Sequence, residues 1–307
     1  MTIARSVLLR ASRSAWLAEQ FRQRAFARRA VRRFLPGEEM SAALGAAAEF
    51  GAAGLSSVLT CLGEQVRTPA EAAGVREHYL NLLVAVAARG LPAQISVKLT
   101  HLGLDVDREA CLESVRALVV RAEETGSRVW LDMEEASYVD DTLALYRRIR
   151  EDHERVGLCL QAYLTRTPAD LESLLPLAPA IRLVKGAYRE APAIAYTRKS
   201  DIDRAFVQLA ERLLDHSAAG AFPVLGTHDH RLIRSVGESA QARGVTAGAY
   251  EVHMLYGIRS ALQRELAGSG TRVAVLISYG ENWFPWYMRR IAERPANMWF
   301  VVRNLVP

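Results

Sequence analysis

The segment Ile181-Arg182-Leu183-Val184-Lys185-Gly186-Ala187-Tyr188 places two cations in an apolar, β-prone run. A buried cation is costly unless an acid or a bound anion pairs with it, and an odd spacing puts Arg182 and Lys185 on opposite faces of a strand. Gly186 then permits a turn and close approach of backbone to a ligand, and Tyr188 supplies an aromatic wall. Near the other end of the chain, Trp286, Arg289, Arg290 and Glu293 share one helical face. Adjacent arginines beside aromatics suit a planar carboxylate held bidentately. Further polar groups close other apolar runs: Glu64, Lys98, Asp132 with Glu134, Gln161, Thr227-His228-Asp229, and Glu251 with His253. Lys98 and Asp132 are expected to form an inward-facing ion pair, which stabilises little and therefore points to a functional role. The plainer readings are a strand end with a solvated Lys and turn, and a surface helix whose arginines sit at its negative pole.

The elements that must position these groups repeat in a regular order. Apolar β-prone runs occur at Leu55–Leu59, Gln94–Leu99, Arg128–Asp132, Val156–Gln161, Ile181–Lys185, Pro223–Thr227, Ala249–Met254 and Arg272–Ile277. Helical periodicity fills the intervals, at Glu71–Ala88, Asp107–Glu124, Tyr138–Glu151, Pro168–Leu175, Ile202–Ala218, His230–Ala242, Ile258–Ala267 and Asn282–Arg294. Eight strand–helix repeats predict an α/β fold, a (βα)8 barrel with the charged groups at the C-terminal ends of its strands. A doubly wound open sheet is the alternative, but GxGxxG is absent, as is a GxxxxGK[ST] phosphate loop.

The 307-residue chain is half hydrophobic and has no polar low-complexity linker, which favours one core over residues 36–307. Residues 1–35 stand apart. Arg5, Arg10, Arg13, Arg22, Arg24, Arg28, Arg29, Arg32 and Arg33 are set against one acid, Glu19, with an apolar stripe of Trp16, Leu17, Phe21 and Phe26. This segment accounts for much of the sequence pI of about 9.3. A basic amphipathic helix can lie on an anionic membrane surface, contact nucleic acid, or pack on the barrel as an ordinary solvated face. The rest of the chain is near charge balance and offers no second basic stripe, so nucleic acid is disfavoured. No apolar run reaches the length of a membrane span, and no signal-peptide core precedes residue 30. Cys61, Cys111 and Cys159 form no CxxC pair, which fits free thiols in a reducing cytosol. No metal-ligand spacing is present.

Several separated motifs together resemble the monofunctional bacterial proline dehydrogenases, from about Glu38 onward. They are Leu62-Gly63-Glu64, Ser96-Val97-Lys98-Leu99-Thr100, Leu131-Asp132-Met133-Glu134, Leu160-Gln161-Ala162-Tyr163-Leu164, Arg182 to Tyr188, Thr227-His228-Asp229, and Arg289-Arg290 with Glu293. The resemblance implies a distorted barrel holding non-covalent FAD, oxidation of L-proline to Δ1-pyrroline-5-carboxylate, and electron transfer to a membrane quinone. It also implies a cytoplasmic protein in peripheral contact with the inner face of the membrane. By motif match, Arg289, Arg290 and Lys98 would hold the substrate carboxylate, Asp132 would orient Lys98, and Glu64 would pair with Arg289. Arg182 would reach the flavin N5 side. Met133, Gln161, Lys185, Gly186, Ala187, Thr227, His228 and Glu293 would line or support FAD, while Tyr188 and Leu255 would wall the substrate ring. One departure stands out: Leu276 occupies a position where the family commonly has Tyr, which predicts a roomier wall and weaker rejection of substituted prolines. The residues alone also leave open a Schiff-base lyase using Lys98 or Lys185, or a basic binding module without chemistry.

Overall fold

The computed structural model describes residues 33–284. The first helix among the described residues, α1 (Met40–Ala52), is rich in alanine, the residue with the highest helix propensity, and buries Ala43, Leu44, Ala46 and Ala47. Eight parallel strands follow: β1 (Ser56–Cys61), β2 (Ala93–Val97), β3 (Val129–Leu131), β4 (Val156–Gln161), β5 (Ala180–Val184), β6 (Phe222–Gly226), β7 (Glu251–Leu255) and β8 (Arg272–Tyr279). They close into a barrel in sequence order, with β8 pairing β1 from Ser56↔Ala274 to Cys61↔Tyr279. Between them run α2 (Pro69–Ala88), α3 (Arg108–Glu124), α4 (Val139–Arg150), α5 (Thr167–Leu174), α6 (Lys199–Asp215), α7 (His230–Ala242) and α8 (Ser260–Gly268). The expected (βα)8 barrel is therefore the fold. Helix α1 was not anticipated; it packs across β1 and β8, over the seam that closes the barrel.

Strand boundaries are sharp because the runs are buried on both faces, one against helices and one in the barrel interior. Local signals start the helices: Thr68 and Glu71 form a reciprocal capping box at α2, and the Asp107 carboxylate accepts from Glu109 N and Ala110 N at α3. The interior is filled by Val58, Trp130, Ala180, Val224 and Ala274, with Leu276 packed against them. Trp130 fits because β4 carries Gly157 opposite it, where a Cβ would lie 2.5 Å from the ring. Residues 1–32 and 285–307, which include most of the basic segment and Trp286, Arg289, Arg290 and Glu293, lie outside the described residues.

Candidate active site

The C-terminal mouth of the barrel gathers the charged groups expected there, with altered pairing. Arg182 projects inward from β5 with its side chain only 3% exposed. Its Nη2 donates to Asp132 Oδ1 and, at 2.8 Å, to Ser96 Oγ. Ser96 Oγ also donates to Asp132 Oδ1 at 3.0 Å. The guanidinium lies 5.2 Å from the centroid of the Trp130 ring, a cation–π contact that offsets part of its desolvation. Nη1 is buried with no hydrogen-bond partner among the described residues.

The expected Lys98–Asp132 pair does not form. Lys98 Nζ instead donates to Glu64 Oε2 at 2.5 Å, and Asp132 is bonded to Arg182 and Ser96. The reason is reach: the long Arg182 side chain crosses the barrel to β3, leaving Lys98 to the loop after β1. A further correction concerns Glu251 and His253. Glu251 opens β7 rather than ending it, and both side chains are buried below the mouth, 3.3 Å apart. Burial holds His253 below the ordinary imidazole value.

That β1 loop is held by Gln65, Thr100 and His101, to which the sequence assigned no role, and by Glu134, which it marked. Gln65 adopts a left-handed conformation, φ 55°, a strain worth about 1–3 kcal/mol for a residue with a Cβ. Its N–H donates to Thr100 Oγ1 at 3.2 Å. Thr100 is fixed in turn: its N–H and hydroxyl donate to Glu134 at 3.0 and 2.7 Å. Burial raises the Glu134 carboxyl above its usual range. His101 packs directly beneath Gly63, where any Cβ would collide with the imidazole. Its pKa falls to about 4 through burial first, then the nearby Lys98 and His78.

On the flank, Lys185 follows β5 and turns away from Arg182, as the odd spacing predicted. Its Nζ donates to Asp203 Oδ1 of α6 at 2.5 Å and to Asp229 Oδ2 at 3.2 Å. Gly186 has φ 111°, and a Cβ there would strike the Tyr163 ring. Ala187 is exposed and Tyr188 half-buried beside it. Gln161 ends β4 with Nε2 donating to Glu134 O at 3.2 Å and Oε1 buried without a partner; Met133 is buried alongside. Thr227 is buried after β6, and His228 Nε2 accepts from Leu255 N at 3.5 Å. Leu276 lies on the inward face of β8, half-buried, whereas Tyr279 points outward, its hydroxyl 2.7 Å from His78 Nε2. Tyr279 therefore does not substitute for the missing ring at position 276.

Residues 43–303 match the family model described as proline dehydrogenase. The chain is 36% identical over 276 residues to proline dehydrogenase 1 of Bacillus subtilis (strain 168), covering 90% of each chain. The chain belongs to the proline dehydrogenase family. A second relative, the proline dehydrogenase of Deinococcus radiodurans, is 37% identical over 279 residues, or 89% of each chain. The fold is also that of proline utilization A from Bdellovibrio bacteriovorus, in a crystal structure of the protein inactivated by N-propargylglycine. The TM-score is 0.81 at 23% identity over 87% of this chain, which spans about a third (33%) of that longer protein.

Members of the proline dehydrogenase family are in general flavin-dependent, and the mouth suits such a group. Arg182 Nη1 and Gln161 Oε1 are a buried donor and a buried acceptor without protein partners, and leaving such groups unmet costs about 1–3 kcal/mol each. Unmet polar atoms of this kind are what a large heterocyclic cofactor satisfies.

Proposed function

We propose that the chain catalyses the FAD-dependent oxidation of L-proline to Δ1-pyrroline-5-carboxylate, with a membrane quinone as the final electron acceptor. The observation that carries this reading is Arg182, buried at the C-terminal mouth with an unmet Nη1, in a chain of the proline dehydrogenase family. FAD, when bound, supplies the hydride acceptor. The protein supplies charge and orientation. Lys98, with Arg289 and Arg290, holds the substrate carboxylate, so that a bimolecular encounter becomes a positioned one. Asp132 and Ser96 hold Arg182 in one orientation for the cofactor, and Gln161, Met133, Lys185, Gly186, Ala187, Thr227, His228 and Glu293 support the remainder of it. Tyr188, Leu255 and Leu276 enclose the substrate ring. Glu64, bonded to Lys98, closes the site from the β1 loop.

The basic segment 1–35 would bring the enzyme to the inner face of a membrane, where quinone resides; no helix among the described residues is long and apolar enough to cross one. The test is spectroscopic. Purified protein should show a flavin absorption band that bleaches anaerobically on adding L-proline. Protein without bound flavin would reject the cofactor, and a band unmoved by proline would reject the substrate.

A further inference from the structure

A second concavity opens at the opposite, N-terminal end of the barrel. It encloses about 910 Å³ and is lined by Arg128, Arg150, Arg155 and Arg272, together with Phe222 and the acids Glu154 and Glu251. Arg128 precedes β3, Arg155 precedes β4, Arg272 opens β8, and Arg150 ends α4, so four separate parts of the chain deliver a cation to one mouth. None of the four forms an ion pair with another described residue. Glu251 offsets only part of this charge: burial opposes its ionisation, yet His253, Arg272 and Ser56 Oγ, at 3.1 Å, hold its carboxylate down at about 2, and this one buried acid faces four guanidiniums. Glu154 is exposed at the rim.

The simplest account of arginines at this end is that they satisfy carbonyls at the C-termini of helices and loops. Some donors do so. Arg150 Nη1 and Nη2 donate to His153 O and Ala178 O at 3.0 and 2.9 Å, and Arg128 Nη1 donates to Glu154 O at 3.1 Å. Each guanidinium has five N–H donors, however, and Arg150 Nε is buried with no hydrogen-bond partner among the described residues. The planes of Arg128 and Arg272 are meanwhile fixed against the Phe222 ring, at 5.8 and 5.2 Å from its centroid. Arg128 Nη1 and Arg272 Nη1 also reach Val156 O and Gly248 O at 3.4 Å, yet among the described residues these carbonyls and Glu251 leave several donors unpaired and positive charge in excess. Burial first, then repulsion from Arg155 and Arg150, pulls Arg128 below the ordinary arginine value. Tyr146 and Glu251 counter part of that crowding, and a further negative group placed among the cations would relieve the rest.

We propose that the N-terminal mouth of the barrel is a binding site for a small multivalent oxyanion, a phosphate or diphosphate group. Planar guanidinium forks match phosphate oxygens bidentately, and a concave wall shields the pairing from solvent. The site is separate from the catalytic mouth and does not rest on the reading of that mouth. A polar path nevertheless leads from one to the other. Gln94 Nε2 donates to Glu251 at 3.5 Å, Trp130 Nε1 donates to Gln94 Oε1 at 2.5 Å, and Arg182 lies over the Trp130 ring.

Isothermal titration of the full-length, flavin-loaded protein with inorganic pyrophosphate at low ionic strength tests the proposal. Saturable binding is expected, weakened about tenfold or more in the double variant Arg155→Gln/Arg272→Gln, whose exposed side chains carry little of the fold. Arg116→Gln, on the outer face of α3, should bind as wild type does. Equal affinity in the double variant and wild type, or the absence of any saturable heat, overturns it. Phosphatidylglycerol vesicles distinguish a lipid headgroup from a free anion. Vesicle binding lost in the double variant, with no pyrophosphate binding in the wild type, would overturn the soluble-ligand site in favour of a membrane contact.

Discussion

His101 is the residue whose environment makes the sharpest prediction. Held at about 4, from an ordinary 6.5, by burial and then by Lys98 and His78, it stays neutral in the folded protein while the unfolded chain takes up a proton below 6.5. The penalty is therefore absent above that value, grows as pH falls, and is complete near pH 4, where it reaches roughly 3 kcal/mol. Urea unfolding of wild type and His101→Gln should diverge in pH dependence across this window, the wild type losing more stability on acidification; parallel curves would remove the assignment. Leu276 makes a prediction about specificity. Its inward position beside the mouth leaves no phenol to reject substituents on the substrate ring, and an apolar pocket discriminates against an added hydroxyl by only about a hundredfold. Leu276→Tyr should shift the ratio of kcat/KM for proline over trans-4-hydroxyproline toward proline. An unchanged ratio would mean that Leu276 does not line the ring.

At the scale of elements, Gly186 shows how a strand end is shaped by its neighbours. Its φ of 111° suits glycine, and the Tyr163 ring occupies the space of a Cβ. Gly186→Ala should destabilise the protein by about 2–3 kcal/mol and lower the flavin-to-protein absorbance ratio, with the far-ultraviolet circular dichroism retained. A normal ratio would show that this turn does not face the cofactor. The strands themselves were legible in the sequence within a residue or two, because a run buried on both faces must be continuously apolar. Lys185 and Arg182 were legible as opposed for the related reason that side chains alternate. Which acid meets which base was not: it depends on how far Arg182 reaches across the interior, and nothing local encodes that. Helix α1 was missed because alanine-rich turns bear little contrast between faces. His101 went unremarked, and Thr100 carried no role of its own within its motif, since both act through contact with a loop some 35 residues earlier in the chain.

For the whole molecule, charge is distributed unevenly, with the basic segment 1–35 attached to a nearly balanced barrel. Each well-placed cation contributes about 1 kcal/mol of attraction to an anionic bilayer, so co-sedimentation with anionic liposomes should fall on removing residues 1–20, which carry Arg5, Arg10 and Arg13, or on raising salt. Equal sedimentation of the truncated protein would exclude that role. The seam between β1 and β8 bears on how the molecule comes to exist at all. Ser56 donates to Val273 O across 217 positions, and α1 rests on both strands of that seam. During synthesis the first strand must wait, with one edge unpaired and α1 lacking half of its support, until nearly the entire barrel has left the ribosome. Long-range pairing of this kind is slow and leaves sticky edges open meanwhile. Nascent chains stalled before Arg272 should therefore be readily cleaved by protease and captured by chaperones, and release of the last strand, rather than collapse of the first repeats, should mark the onset of protection.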